Sequence, residues 1–131
     1  RKVLKKFGIW NLRIYMKYKK GDIVIVKFPF IIKEKGKEQK GRPALVISDD
    51  RVTRRYRDAV LAAITSQIPP NVMELEMVLE PNEMNGLMRK SLLWLDFLMT
   101  VPDELISRKI GEISKGQLLE VESRLKKMVG I

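Results

Sequence analysis

The sequence contains no cysteine and no histidine among its 131 residues. The lack of cysteine excludes disulfide bonds, thiolate nucleophiles and zinc sites built on thiolates. The lack of histidine removes the commonest metal ligand and the usual general base. Any chemistry must therefore use arginine, lysine, hydroxyl groups and carboxylates, and we predict neither a metal site nor a cofactor.

Long hydrophobic runs are also absent, although 45% of the residues are apolar. The longest apolar stretches, such as 59–64 and 92–95, are far shorter than the roughly 20 residues that span a bilayer. The first 15 residues have a basic start but no continuous apolar stretch before a small-residue cleavage site. We therefore expect a cytoplasmic protein with no membrane contact, and the length fits one domain.

Positive charge is in excess, with 26 basic against 16 acidic side chains and a net charge of +10. Eight of the basic residues lie within 1–20, which holds no acidic residue, and residues 27–57 hold ten basic and four acidic side chains. This balance favours a polyanion or an acidic protein as the partner.

The basic first segment, 1–19, is predicted to be an arm, and the folded domain is placed at 20–131. The residues from Met16 onward read like a second beginning of the chain. We expect either that Met16 is the natural start or that residues 1–15 are an appended arm, with a partly ordered tail as the alternative.

Short runs rich in β-branched residues predict a mainly β fold. The run 22–28 is nearly all apolar, which favours a strand buried on both faces and ended by Pro29. Residues 33–41 hold six charges and two glycines and are predicted to form a mobile loop. Further strands are predicted, separated by turn-rich connections, at 44–48, 60–65, 74–80 and 91–99.

The end of the chain shows the clearest helical pattern. Ser114 and Gln117 have the spacing of a capping box, and apolar residues recur at helical intervals from Leu118 to Met128, before Gly130. Residues 102–104 resemble the start of a short helix, whereas 106–113 fit a helix or a strand. The short strands with a terminal helix predict a small antiparallel barrel with helical additions.

Two segments place reactive side chains where a strand meets a loop. Arg42 stands between the charged loop and a strand, and Pro43 biases it away from helix. Thr65, Ser66 and Gln67 end an apolar strand with three consecutive hydrogen-bonding side chains, which suits a phosphate or a sugar edge. The alternative interpretations are a solvated edge arginine and a simple chain turn, and the local sequence alone favours them.

Five segments in order resemble the MazF/PemK (Kid) toxins of bacterial toxin-antitoxin systems: GDIVIVKFPF, EQKGRPALVISDD, AAITSQ, GLMRKSLLWLD and ISRKIGEISKGQLLEVESRLKKMVGI. The resemblance extends from Lys20 to Ile131. It implies a small Src-homology-type barrel, a homodimer, an acidic antitoxin as partner and metal-independent cleavage of single-stranded messenger RNA.

The resemblance also implies roles for particular residues. Arg42 matches the catalytic arginine of the family and Thr65 its catalytic threonine, while Glu38 matches a carboxylate implicated in some members. The alternative for Glu38 is one charge in a solvated loop. We also predict contacts with RNA at Phe28, Lys40, Arg51, Ser66 and Gln67.

The chain departs from the family pattern in two places. The loop before Arg42 is one residue shorter than in many members, which affects loop geometry and base preference. Phe97, Leu98 and Met99 follow Asp96 where the family commonly has glutamine and then a basic residue. Three interpretations of this stretch are open: a polar RNA contact is missing there, an apolar surface serves a partner instead, or the side chains pack in the core.

Two other functions compete with RNA cleavage. The gyrase-poisoning CcdB toxins are similar in architecture but act by binding protein, and they do not need the arginine and threonine pair. A basic RNA-binding barrel without catalysis would need a row of aromatic platforms, and only five of the nine aromatic residues lie beyond the arm. We therefore favour the endoribonuclease hypothesis.

Overall fold

The computed structural model describes residues 17–27 and 41–131. Residues 1–16 of the predicted arm, residues 33–40 of the predicted loop, and Phe28 and Pro29 lie outside the described residues. The described part contains six strands, one α-helix and a 3-10 turn: β1 (Asp22–Lys27), β2 (Gly41–Val46), β3 (Asp58–Thr65), β4 (Glu76–Leu79), β5 (Ser91–Pro102), the 3-10 turn (Asp103–Leu105), β6 (Ile106–Glu112) and α1 (Lys115–Val129). The predicted mainly β fold with a C-terminal helix is confirmed.

The strands form one sheet in the order β4-β5-β3-β2-β1-β6. Every pairing in it is antiparallel. The pairing of β1 with β6 brings the last quarter of the chain back beside its first strand, and β6 and β4 form the two edges of the sheet. The sheet therefore places the ends of β2 and β3 near its middle.

The sheet buries apolar side chains on both faces. Along β1, Ile23 belongs to one core and Val24 and Val26 belong to a second, because successive side chains of a strand point to opposite faces. Helix α1 covers the first core with Val121, which is almost fully buried. The prediction of a first strand buried on both faces is confirmed.

The main differences from the predicted elements lie in β2 and β6. Strand β2 begins earlier than predicted, because Gly41 and Arg42 pair with Lys27 and Val26 of β1. The ambiguous segment after the 3-10 turn is a strand. Its apolar spacing fitted either structure, and pairing of 106–112 with β1 decides between them.

Helix α1 has the predicted capping box. The Gln117 amide donates a hydrogen bond of 3.1 Å to the Ser114 hydroxyl, and the Ser114 amide donates one of 3.2 Å to the Gln117 side-chain carbonyl. At the other end, Gly130 adopts a left-handed conformation with φ of 78°. Both helix ends thus satisfy backbone groups that the helix leaves unpaired.

Replacing Ser114 by alanine is expected to lower the free energy of unfolding by about 1 kcal/mol, because the N-cap acceptor is lost. Urea denaturation followed by circular dichroism measures this difference. Ser123→Ala is the matched control, since Ser123 is exposed within the helix and alanine favours helix there. Equal stability of Ser114→Ala and the unaltered protein would contradict the capping role.

Candidate active site

Strands β2 and β3 bring Arg42 and Thr65 to the same end of the sheet. The two strands pair in antiparallel register, with Ala44 opposite Ala63. Side chains two residues apart on a strand point to the same face. Extending this register by two residues places Arg42 across from Thr65, on the face that Ala44 and Ala63 share. Two residues distant in sequence thus become neighbours across the sheet.

A cleft of about 690 Å³ opens at this end of the sheet. It contains four of the predicted site residues, namely Arg42, Thr65, Ser66 and Gln67. Its other walls come from β1, β6, the β4–β5 connection and β5, through residues that include Ile25, Ile110, Leu87, Met88, Arg89, Trp94 and Phe97. The cleft therefore combines a cation, hydroxyl groups and apolar side chains.

The threonine hydroxyl has a defined orientation. Its Oγ1 atom accepts a hydrogen bond of 3.1 Å from the Gln67 amide, so the hydroxyl proton is left to donate to another group. Thr65 is half-buried, while Ser66 and Gln67 are exposed. These side chains can offer hydrogen-bond donors to a phosphate or a ribose in the cleft.

The backbone around Arg42 is fixed by close strand packing. Gly41 faces Lys27 across the β1–β2 pair, and a Cβ atom at Gly41 would overlap the Ile25 side chain. Arg42 itself is half-buried. A guanidinium group on a rigid strand presents several donors in a fixed fork, which matches the oxygen atoms of a phosphate.

An irregularity between β3 and β5 shapes the aromatic wall of the cleft. Ala62 pairs with Leu98, but the next residue, Ala63, pairs with Trp94, so β5 carries extra residues between these two pairs. Such bulges redirect side chains. The Trp94 and Phe97 rings lie with their centroids 4.8 Å apart at an angle of 58°, and both line the cleft.

The departure at 97–99 serves both the cleft and the core. Phe97 and Met99 are half-buried and line the cleft, and Met99 also packs against the second core. Leu98 is 37% exposed. The stretch thus contributes core packing and an apolar cleft wall in place of polar side chains.

Arg51 does not line the cleft. Its Nε and Nη2 atoms donate hydrogen bonds of 3.0 and 2.8 Å to the two carboxylate oxygens of Asp49. These bonds hold the pKa of Asp49 well below its usual range. Two neighbouring arginines also pair with carboxylates, Arg54 with Asp58 and Arg57 with Asp103. The structure thus does not bring Arg51 to the other predicted site residues. The contact of Arg51 with RNA is not tested and stays a prediction.

Three other predicted site residues, Phe28, Glu38 and Lys40, lie outside the described residues and stay predictions. Conversely, the sequence did not identify Met88 and Arg89 as cleft residues. The only local signal for them is an apolar and a basic residue directly after the Asn85-Gly86 turn. The β5 irregularity that directs Trp94 to the cleft depends on a distant partner strand.

Metal ligation and membrane spanning can be assessed for the described residues, 17–27 and 41–131. Within these ranges, no group of three or more acidic, histidine or cysteine side chains is arranged to hold a metal ion. None of the helices there is long and apolar enough to cross a membrane.

Most of the sequence matches the model of one protein family. The sequence model of the PemK-like, MazF-like toxins of type II toxin-antitoxin systems matches residues 19–129. Because the match includes most of the sequence, the chain belongs to this family. The predicted resemblance is confirmed.

Known relatives support this assignment. A curated protein from Mycolicibacterium smegmatis, named probable endoribonuclease MazF, is 27% identical over 92 residues, which cover 70% of this chain and 83% of the relative. The solved structure of the Mycobacterium tuberculosis toxin MazF-mt6 is similar with a TM-score of 0.65 and 20% identity, covering 84% of this chain and 97% of that one. A MazE-MazF structure from Deinococcus radiodurans gives a TM-score of 0.68 at 19% identity, with 89% and 98% covered. These structures share the fold of this chain.

Proposed function

We propose that the protein is an endoribonuclease toxin that cleaves single-stranded messenger RNA in the cleft between β2, β3 and β5. The observation that carries this proposal is that Arg42 and Thr65 line the same cleft. The β2–β3 register, extended by two residues, sets them across from each other. A toxin that acts only by binding another protein has no need of this pair. The name of the M. smegmatis relative also supports RNA as the substrate.

RNA brings its own nucleophile to such a site. The ribose 2′-hydroxyl loses its proton and attacks the adjacent phosphorus, and the bond from phosphorus to the 5′-oxygen breaks as that oxygen takes up a proton. The products are a 2′,3′-cyclic phosphate and a 5′-hydroxyl. The protein must therefore align the attack and stabilise the negative charge that develops on the phosphate oxygens.

The cleft residues suit these tasks. The guanidinium group of Arg42 is a cation whose forked donors can bind two phosphate oxygens at once. The Thr65 hydroxyl can donate to the phosphate or orient the 2′-hydroxyl, with Ser66 beside it. For the removal of the 2′-hydroxyl proton we propose Glu38, which matches a carboxylate implicated in some members of the family; the alternative for Glu38 stays one charge in a solvated loop.

The proposed partner is an acidic antitoxin. The net charge of +10 favours binding of an acidic segment. The similar D. radiodurans structure contains MazE together with MazF. Because the same cations would attract RNA, we propose that the antitoxin and RNA compete for the cleft. A homodimer is the proposed assembly, as in the family that the sequence resembles.

Cleavage is expected to continue in excess chelator and to leave cyclic phosphate or 3′-phosphate ends, because Arg42 supplies the positive charge and RNA supplies the nucleophile. The purified protein is incubated with a long unstructured RNA, with and without EDTA, and the ends are mapped. The Arg42→Ala protein, purified by the same procedure, controls for contaminating ribonuclease. Strict dependence on magnesium or manganese would contradict this mechanism.

A further inference from the structure

We infer that the β4–β5 loop, residues 80–90, contacts the RNA beside the scissile phosphate and selects the nucleotide bound there. In this role Met88 packs against a base and Arg89 binds a neighbouring phosphate. The inference rests on the proposed function and assigns substrate contacts to residues that the sequence analysis gave no role.

Met88 is an exposed apolar side chain at the edge of the cleft. It is 93% exposed, yet it lies at the wall of the cleft that holds Arg42 and Thr65. Met84 in the same loop is also exposed but does not line the cleft. Single exposed apolar residues are ordinary on protein surfaces, so the position of Met88 at the cleft is what distinguishes it.

The β4–β5 loop is held in one conformation by Asn85, whose side chain is buried. The Asn85 side-chain amide donates to the Glu80 carbonyl at 2.8 Å, and its Oδ1 atom accepts from the Leu87 amide at 2.9 Å. The Asn82 side chain accepts from the Asn85 amide at 2.8 Å. The residue just before Met88 is therefore fixed by hydrogen bonds to the loop itself.

The loop is also fixed against β6. The Glu112 amide donates to the Met84 carbonyl at 2.9 Å. A Cβ atom at Gly86 would overlap the Ile110 carbonyl, and one at Gly111 would overlap the Met84 carbonyl. The two backbones are in direct contact, so the loop presents Met88 and Arg89 from a rigid support. Binding to this loop therefore loses little backbone conformational entropy.

The cleft then has two chemically different parts. Arg42, Thr65 and Ser66 offer donors for a phosphate, whereas Met88 and the Trp94–Phe97 pair offer apolar surface. Contacts to phosphate position a nucleic acid, and contacts to bases specify its sequence. Bases of single-stranded RNA are unstacked and bind to such surfaces. Arg89, exposed beside Met88, lies where it can bind the phosphate next to that base.

Replacing Met88 by serine is expected to reduce the preference among bases beside the cut by roughly tenfold, because an apolar contact to one base is lost. The measurement compares kcat/KM for short RNAs that carry the mapped cut site with each flanking base changed in turn. Met84→Ser is the matched control and should keep the original preference. An unchanged preference in Met88→Ser would overturn the inference.

The contact of Arg89 with phosphate is tested by salt dependence. In Arg89→Gln, the slope of log Kd for an uncleavable RNA against log salt concentration should fall by about 0.7, the loss expected for one phosphate contact in a single strand. Lys90→Gln is the matched control. Lys90 lies 3.7 Å from the Glu80 carboxylate and does not line the cleft. Equal slopes for the two variants would overturn this contact.

Different results would contradict the proposed function and the role of the β4–β5 loop. If the unaltered protein neither cleaves nor binds RNA, the proposed function is wrong and the inference falls with it. If the unaltered protein cleaves RNA but Met88→Ser and Arg89→Gln behave like their controls, only the inference is wrong.

Discussion

Arg42→Ala is expected to lower the rate of RNA cleavage about a hundredfold or more, because one preorganised cation at the scissile phosphate is lost. The rate is measured in single turnovers with saturating protein, so that weaker binding does not hide the chemical step. The cleavage rate of Arg42→Lys should lie between those of the unaltered protein and Arg42→Ala, since lysine keeps the charge but loses the forked geometry that holds two oxygens. This order separates the need for charge from the need for shape.

The fold should tolerate the loss of Arg42. The side chain is half-buried at the start of β2, whereas the residues that anchor this strand, Ala44, Leu45 and Val46, are fully buried. We therefore expect a nearly unchanged melting temperature in Arg42→Ala. Arg108→Ala is the matched control, because Arg108 is exposed on β6 and does not line the cleft. Full activity in a folded Arg42→Ala protein would place the active site elsewhere.

The sequence predicted those features that depend on neighbouring residues. The local sequence alone favoured a solvated edge arginine at Arg42 and a chain turn at Thr65, and their predicted roles come from the resemblance to the family. The capping box at Ser114 and the buried strand from Asp22, in contrast, follow from local patterns of apolar and polar side chains. Each needs only a few adjacent residues to be recognised. The structure has these elements nearly where they were predicted.

Features that depend on distant segments were not predictable in this way. Residues 106–112 became a strand only because β1 pairs with them. Similarly, Trp94 is directed to the cleft by an irregularity opposite Ala62 and Ala63. Register between strands is a tertiary property, and propensity cannot supply it. The sequence thus identified Arg42, Thr65, Ser66 and Gln67 but missed Met88 and Arg89, which also line the cleft.

The contact between the β4–β5 loop and β6 gives the second large expected effect. Gly86 has a φ of 70°, in the left-handed region where a Cβ atom costs about 1–2 kcal/mol. A Cβ atom there would also overlap the Ile110 carbonyl, which is backbone and has little freedom to move. We expect Gly86→Ala to lower the free energy of unfolding by about 3 kcal/mol or more.

Gly116→Ala provides a control of the opposite sign. Gly116 lies in the first turn of α1 with only the Ser114 hydroxyl, at 4.0 Å, near a new Cβ atom, so alanine should raise the free energy of unfolding by up to about 1 kcal/mol. Urea denaturation of both variants measures the difference. Equal stabilities of the two variants would show that the loop does not pack against β6.

The Gly86→Ala protein that remains folded at low temperature should also show a reduced preference among the bases beside the cut, as Met88→Ser does. Both changes remove the same apolar surface from the cleft, Gly86→Ala by displacing the loop.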